Sequence, residues 1–159
     1  MAKTKLRPDN ARTAGQLQRM KILAKGKIGC FFCNNNYLKL GASKAIYESK
    51  HWYIKKNVYP YAGTRYHYLI VPKVHVTKVT EISSKVWSEF LKMAIWTEKY
   101  LGVKGYSILA RNGDMKYTGA TLDHLHFHFV SGGPKKKGGK LKDNVRFTLA
   151  HKSIRPQRS

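Results

Sequence analysis

Three histidines alternate with apolar residues in the run from His124 to Val130, which reads His-Leu-His-Phe-His-Phe-Val. Successive side chains of a β-strand point to opposite faces, so the three imidazoles share one face and the apolar side chains share the other. The run therefore predicts a strand with one face in the core and one face available for chemistry. Seven histidines in 159 residues make three at this spacing an improbable coincidence.

The two cysteines, Cys30 and Cys33, form a Cys-Phe-Phe-Cys motif. A disulfide, a redox-active pair and a metal site are the three uses of such a motif. Metal binding is favoured, because no signal for an oxidising compartment is visible and a CxxC turn presents two thiolates to one tetrahedral ion. Imidazole is a metal ligand as well as a general acid or base, so the histidine run can serve both purposes.

Positive charge dominates the composition, with 31 Lys and Arg against 8 Asp and Glu and a net charge of +23. Such an excess favours anionic partners, nucleic acid among them, and a merely solvated basic surface is the alternative. The sequence contains no apolar run of about 18 residues and no secretory h-region after its basic amino end. We therefore expect a cytoplasmic protein without a membrane span.

The periodicity of apolar residues predicts an α+β domain with a mostly antiparallel sheet covered by helices. Asp9 or Asn10 is expected to cap a first helix, and a longer helix is expected from Ser83 or Ser84 to Gly102. Strands are expected at 45–57, 66–71, 106–110, 124–130 and, at an edge, 145–149. The chain divides into a basic arm with the first helix (1–29), a central domain (30–133) and a basic segment rich in Gly and Lys (134–159).

The histidine run resembles the signature of the histidine triad (HIT) superfamily, His-φ-His-φ-His-φ-φ with φ apolar. Other segments resemble the family in the same order along residues 30–133, which implies a HIT-like catalytic domain there. These segments are Cys30 to Cys33, Asn57-Val58-Tyr59-Pro60, Ile70 to Lys73 with the following His75, Asn112-Gly113 and Gly119-Ala120-Thr121. The likeness is closest to the zinc-bearing branches that include dinucleoside polyphosphate phosphorylases and galactose-phosphate uridylyltransferase.

The resemblance implies roles for the residues around the triad. His126 corresponds to the nucleophile that forms a covalent nucleotidyl-histidine at an α-phosphate, and His128 to a group that hydrogen-bonds the phosphate or the leaving side. Asn57 stands where many small members have an Asp that holds the ribose hydroxyls, and an uncharged acceptor makes the weaker bond. Phosphate binding is implied for Asn112, Gly119 and Thr121.

The resemblance also implies a metal site. In the zinc-bearing branches, a histidine after an earlier strand and the first triad histidine complete a site with the two cysteines. Here the four ligands are Cys30, Cys33, His75 and His124. A closed tetrahedral site has no open position for water, so the expected cofactor is one structural zinc ion. The family likeness also makes a homodimer an expected assembly.

The leading hypothesis is a nucleotide hydrolase or nucleotidyl transferase that cleaves a phosphoanhydride or phosphoramidate, such as a dinucleoside polyphosphate, at the α-phosphate. Hydrolysis is favoured because the phosphorylase branch often has Gln where this chain has His128. The first alternative is a HIT-type deadenylase of nucleic-acid ends that uses the basic surface. The second is a non-catalytic module that binds nucleotides or nucleic acid.

Overall fold

The computed structural model describes residues 6–26 and 29–149. The first five residues of the expected basic arm lie outside the described residues, as does the end of the predicted basic segment after residue 149. Within the described ranges the elements are α1 (Ala14–Ala24), α2 (Asn36–Lys39), β1 (Tyr47–Glu48), β2 (Trp52–Lys56), β3 (Tyr66–Pro72), α3 (Ser84–Leu101), β4 (Ser107–Ala110), α4 (Met115–Thr118) and β5 (Phe127–Ser131).

The five strands form one antiparallel sheet in the order β1-β2-β3-β5-β4. Ile70 of β3 is paired with Ile54 of β2 on one side and with Phe127 of β5 on the other. Paired residues of antiparallel strands share a face, so these apolar side chains form a row across the sheet. The predicted α+β class with a mostly antiparallel sheet is confirmed.

Helix α3 covers the face that carries this row. It begins after Ser83, whose side chain accepts a hydrogen bond from a backbone N–H of the first turn, and it ends at Gly102 in the left-handed conformation (φ 57°). Both ends agree with the prediction. Met93 is fully buried against the sheet, and the Trp52 indole N–H donates to the Val86 carbonyl at 2.8 Å. The helix is therefore held to β2 by both packing and a hydrogen bond.

The opposite face of the sheet is covered by α1 and by the loop that carries the cysteines. One apolar cluster joins these segments to β2 and β3, and its larger members are Met20, Leu23, Phe31, Phe32, Tyr37, Tyr53, Leu69 and Val71. Leu69 is paired with His128 of β5, so this second face is also the histidine face. The cysteine loop and the triad therefore lie on the same side of the sheet.

The amino-terminal helix is capped differently from the prediction. The Thr13 side chain accepts the hydrogen bond from Gln16 N, and α1 begins there rather than after Asp9 or Asn10. Asn10 lies in a short 3₁₀ turn instead, and its side-chain amide donates to the Ala120 carbonyl at 2.6 Å. Its side chain ties the amino-terminal segment to the loop before the triad.

Three strand predictions differ from the structure. The segment 45–57 forms two strands, joined by a turn in which Ser49 N donates to the Trp52 carbonyl. Strand β5 begins at Phe127, because the Leu125 N–H bonds to the Val76 carbonyl instead of entering the ladder. Residues 145–149 form no strand. None of the helices in the described ranges is long and apolar enough to cross a membrane.

The burial of α3 leads to a stability prediction. Met93 is 0% exposed and Leu91 on the same helix is 65% exposed. Met93→Ala leaves a cavity under the helix, so the free energy of unfolding should fall by about 2–5 kcal/mol. Leu91→Ala should change it by less than about 0.5 kcal/mol. Urea unfolding of both variants measures the difference, and equal losses would contradict the packing described for this face.

Candidate active site

The triad histidines lie on the face of the sheet away from α3. Leu125, Phe127 and Phe129 pack in the α3 core, as the alternation predicts. His128 belongs to β5, and His126 directly precedes that strand. The rings of His126 and His128 are neighbours, with centroids 4.9 Å apart.

A cleft with an empty volume of ≈ 680 Å³ lies beside these two histidines. This volume includes space that is open to solvent. The cleft brings together His126 and His128 with three other residues implied by the resemblance, namely Asn57, Gly119 and Thr121. Asn112 does not line it: its side-chain oxygen accepts a hydrogen bond from Val79 N at 2.7 Å.

The hydrogen bonds of His126 define which of its ring nitrogens carries the proton. Nδ1 lies 2.8 Å from the His124 carbonyl oxygen, which can only accept, so Nδ1 carries the hydrogen and Nε2 carries the lone pair. Burial lowers the pKa of His126 to about 4; the bond to the carbonyl opposes this shift, and the nearby Arg111 adds to it. His126 is therefore neutral near pH 7, with a nucleophilic nitrogen at Nε2.

A second hydrogen-bond chain runs through His67 to His128. Tyr61 N donates to His67 Nδ1 at 3.0 Å, which leaves the hydrogen on His67 Nε2. That nitrogen lies 2.8 Å from His128 Nδ1 and donates to it, so the remaining hydrogen of His128 is on Nε2. His128 Nε2 is buried and has no hydrogen-bond partner among the described residues. It is a donor available to a ligand in the cleft.

His67 is a site residue that the pattern of the triad does not reveal. It lies on β3 with its ring centroid 4.5 Å from that of Tyr61 and the two rings tilted, and burial, followed by the charge of Arg12, lowers its pKa to about 3. Burial also lowers the pKa of His128 well below its usual value. The Asn57 amide nitrogen lies 3.0 Å and 3.4 Å from the two ring nitrogens of His67, so it sits over the ring face.

Two guanidinium groups at the cleft, those of Arg12 and Arg111, were also missed by sequence reasoning. Arg12 lies over the Tyr61 ring at 4.4 Å and donates to the Tyr59 carbonyl at 2.7 Å. Arg111 donates to the Thr118 carbonyl and, at 2.6 Å, to the Thr148 carbonyl. Both arginines are held by backbone carbonyls rather than by carboxylates. Their charge therefore remains available to an anion.

Gly119 lies where the chain comes closest to Arg111. Its φ is 70°, and a Cβ at this position would lie 3.0 Å from the Arg111 guanidinium and from the Leu149 carbonyl oxygen. Both the backbone conformation and the space therefore require glycine. Thr121 Oγ1 lies 3.4 Å from the Gln16 side-chain amide nitrogen, which turns the hydroxyl toward α1.

Cys30, Cys33, His75 and His124 form a compact cluster in which all four ligand atoms lie within 4.8 Å of one another. Cys30 Sγ is 3.4 Å from His124 Nδ1, and Cys33 Sγ is 3.5 Å from Nδ1 of His75 and of His124. Tetrahedral Zn–S bonds of about 2.3 Å and Zn–N bonds of about 2.0–2.1 Å imply roughly 3.5 Å between sulfur and nitrogen. The donor set and its spacing therefore fit a tetrahedral metal ion.

The surroundings of the cluster also suit a metal. His124 Nε2 donates to the Pro72 carbonyl at 2.9 Å, which leaves the Nδ1 lone pair toward the cysteines. His75 Nε2 lies 3.8 Å from Asp123 Oδ1. Burial and the neighbouring Cys30 raise the pKa of Cys33 to about 12, and a cation between the two sulfurs would offset this effect.

The neutral state of His67 predicts an acid-sensitive fold. The pKa of His67 is about 3 in the folded protein and has its ordinary value near 6.5 in the unfolded chain. The unfolded state binds the additional proton between these values, so the free energy of unfolding falls as the pH falls, by about 1.4 kcal/mol per pH unit. His67→Gln removes this titration. Its stability should fall less steeply in urea unfolding at pH 7, 6 and 5, and parallel slopes would contradict the prediction.

Known proteins with similar sequences and structures belong to the family that the histidine run resembles. The HIT domain family model matches residues 41–135, more than half of the chain. Adenosine 5'-monophosphoramidase HNT1 of Saccharomyces cerevisiae is 29% identical over 120 residues, which cover 76% of this chain and 73% of that protein. The structure of a HIT family hydrolase from Clostridium thermocellum is 32% identical with a TM-score of 0.54, and the match covers 67% of this chain and 95% of that one.

A zinc-bound histidine triad family protein from Mycobacterium smegmatis shares the fold, with a TM-score of 0.50 at 20% identity. That match covers 76% of this chain and 81% of the other. The extent of the family match, and a sheet that presents the triad to a cleft, lead to one conclusion. This chain belongs to the histidine triad (HIT) family.

Proposed function

We propose that the protein is a nucleotide hydrolase that cleaves a phosphoramidate or phosphoanhydride at the α-phosphate. The observation that carries the proposal is His126, a neutral imidazole with an available Nε2 at a cleft that also contains Arg12 and Arg111. A cationic cleft attracts phosphate, and a neutral imidazole is a competent nucleophile toward phosphorus. The similarity to adenosine 5'-monophosphoramidases favours the same class of reaction.

In the proposed first step, the Nε2 lone pair of His126 attacks the α-phosphorus. A P–N bond to His126 forms, the bond to the leaving group breaks, and the leaving atom takes the electron pair and a proton from solvent. The ring becomes a cation, and its Nδ1–H remains hydrogen-bonded to the His124 carbonyl. In the second step, water attacks the phosphorus, the P–N bond breaks, and a proton returns to solvent. The product is a nucleoside monophosphate.

The other groups of the cleft stabilise the charge that develops on phosphorus. Phosphoryl transfer depends mainly on positioning and on neutralising the equatorial oxygens. His128 Nε2–H is buried, has no partner within the described part of the chain and can donate to one of these oxygens, and Arg111 supplies positive charge beside Gly119. Thr121 and Asn57 line the cleft and are proposed to bind the phosphate and the ribose. Asn112 is left out of this proposal because it lies outside the cleft.

We also propose that Cys30, Cys33, His75 and His124 hold one structural zinc ion. The distances in the cluster and the outer partners of the two histidines support this metal and a closed coordination shell. When bound, the ion neutralises the thiolates and links the cysteine loop to the residues before β5. It takes no part in the steps at His126.

The remaining expectations stay predictions. These are dinucleoside polyphosphates as substrates, activity on nucleic-acid ends, a homodimer and a cytoplasmic location. The basic residues Lys135 to Lys137, which are exposed, keep the nucleic-acid alternative open. Adenylated DNA therefore belongs in the substrate panel beside adenosine 5'-phosphoramidate and a dinucleoside polyphosphate. Turnover of adenylated DNA alone would favour the deadenylase.

Removal of the nucleophile is the direct test of the proposed reaction. His126→Ala should lower kcat/KM for the best substrate of the panel at least about 1,000-fold. Mass spectrometry after rapid quenching should detect a nucleotidyl adduct on the parent and none on the variant. His51→Ala is the control, because His51 pairs with Glu89 and does not line the cleft. A His126→Ala protein as active as the parent would refute the assignment.

Metal analysis tests the zinc proposal. Protein made without a polyhistidine tag should contain one zinc ion per chain, and chelation should lower its Tm because the ion stabilises only the folded state. Cys33→Ser should lose the zinc, whereas His126→Ala should retain it. Metal-free parent protein with an unchanged Tm after chelation would contradict the proposal.

A further inference from the structure

Two basic side chains of the cleft have no role in the proposed reaction. Lys55 on β2 is 0% exposed, and its Nζ has no hydrogen-bond partner among the described residues. Arg19 on α1 also lines the cleft, and its Nη1 is buried and equally without a partner in the described ranges. A buried donor with no acceptor is unfavourable unless a ligand supplies one. Both donors therefore point to a ligand group that is rich in acceptors.

Lys55 lies two strands away from the triad strand, because it pairs with Leu69 of β3, which in turn pairs with His128 of β5. The ring centroids of His126 and Phe32 lie 5.0 Å apart, and those of Phe32 and Phe31 lie 5.1 Å apart. Lys55 Nζ and the Arg19 guanidinium lie 5.5 Å and 5.6 Å from the Phe31 ring centre, and Lys55 Nζ also lies 4.7 Å from the Tyr37 ring centre. A ligand whose phosphate is at His126 and whose nucleoside extends across the sheet toward β2 would therefore meet Lys55 and Arg19.

The walls of the cleft beside Lys55 and Arg19 suit a flat base. Phe31, Met20 and Leu69 line it with apolar surface, and none of the described Asp and Glu residues lines the cleft. Burial, and then the charge of Arg19, lower the pKa of Lys55 to about 8, so the ammonium group is still mostly protonated near pH 7. An aromatic slot that ends in two cations recognises a ring edge with acceptors and disfavours a ring edge with a donor.

The edges of the purines differ in this respect. Guanine and hypoxanthine present two neighbouring acceptors, O6 and N7, which are the usual partners of Arg and Lys, whereas adenine presents a donor at N6. We propose that Lys55 and Arg19 select 6-oxopurine nucleotides over adenine nucleotides. This inference rests on the proposed function for the place of the phosphate. It separates this chain from the adenosine 5'-monophosphoramidases that it resembles.

Equilibrium binding of three products tests the inference without requiring turnover. Isothermal titration of the zinc-loaded chain of residues 1–159 with GMP, IMP and AMP should give Kd values for GMP and IMP that are about 10- to 100-fold lower than that for AMP. IMP shares O6 and N7 with GMP but lacks the 2-amino group. A low Kd for GMP alone would assign recognition to that amino group and overturn the proposal. Equal Kd values for GMP and AMP would also overturn it.

Variants then identify the residues. Lys55→Met and Arg19→Met should each reduce the ratio of the AMP and GMP Kd values toward one. Lys56→Met is the matched control, because Lys56 is the exposed neighbour of Lys55 on β2 and should keep the parent ratio. If adenosine 3',5'-bisphosphate binds more tightly than GMP and loses this advantage in Lys55→Met, the cations bind a second phosphate and the base assignment is wrong.

The outcomes separate this inference from the proposed function. Selective binding of GMP and IMP with no hydrolysis of any substrate would support base selection and refute the hydrolase. Equal kcat/KM for guanosine and adenosine phosphoramidates, with equal Kd values for their products, would refute base selection and support the hydrolase. Failure of all three nucleotides to bind would refute both.

Discussion

The antiparallel pairing of β3 with β5 is the constraint on which the site depends. In this register His67 is opposite Val130 and Leu69 is opposite His128, so His67 and His128 are diagonal neighbours on one face. Diagonal placement brings His67 Nε2 to 2.8 Å from His128 Nδ1. A shift of one residue would turn the histidines into the α3 core and the phenylalanines into the cleft. The packing of α3 therefore protects the active-site register.

The cysteine loop contributes to the site in two ways. Its sulfur atoms meet His124 just before β5, and its aromatic residues form one wall of the cleft. Phe32 contacts His126, and its carbonyl accepts a hydrogen bond from the Tyr53 hydroxyl at 2.9 Å. A metal ion bound in the cluster would therefore do more than stabilise the fold. It would also hold the wall formed by Phe31 and Phe32 beside His126.

Sequence patterns predicted the helices and strands whose apolar residues are strongly periodic. They also predicted the parts of the site that can be recognised from residue type alone. The α3 helix and the separation of the histidine and apolar faces follow from periods that a single sequence displays. Lys55, by contrast, lies in a strand that is buried on both faces, so no alternation distinguishes it. The chain has 31 Lys and Arg residues, and the composition does not show which of them are buried. His67 and Arg111 join the site only through tertiary contacts that local patterns do not encode.

The positive charge of the cleft and the neutrality of its histidines support each other. Burial is the first cause of the lowered pKa values, and the guanidinium charges act in the same direction, Arg12 on His67 and Arg111 on His126. A carboxylate beside His126 would raise its pKa and favour a protonated Nε2 without a lone pair. The arginines are held by carbonyl oxygens instead, so their charge is available to an anion while His126 keeps its lone pair at Nε2. One charge distribution thus suits both proposed roles of the cleft, phosphate binding and nucleophilic attack.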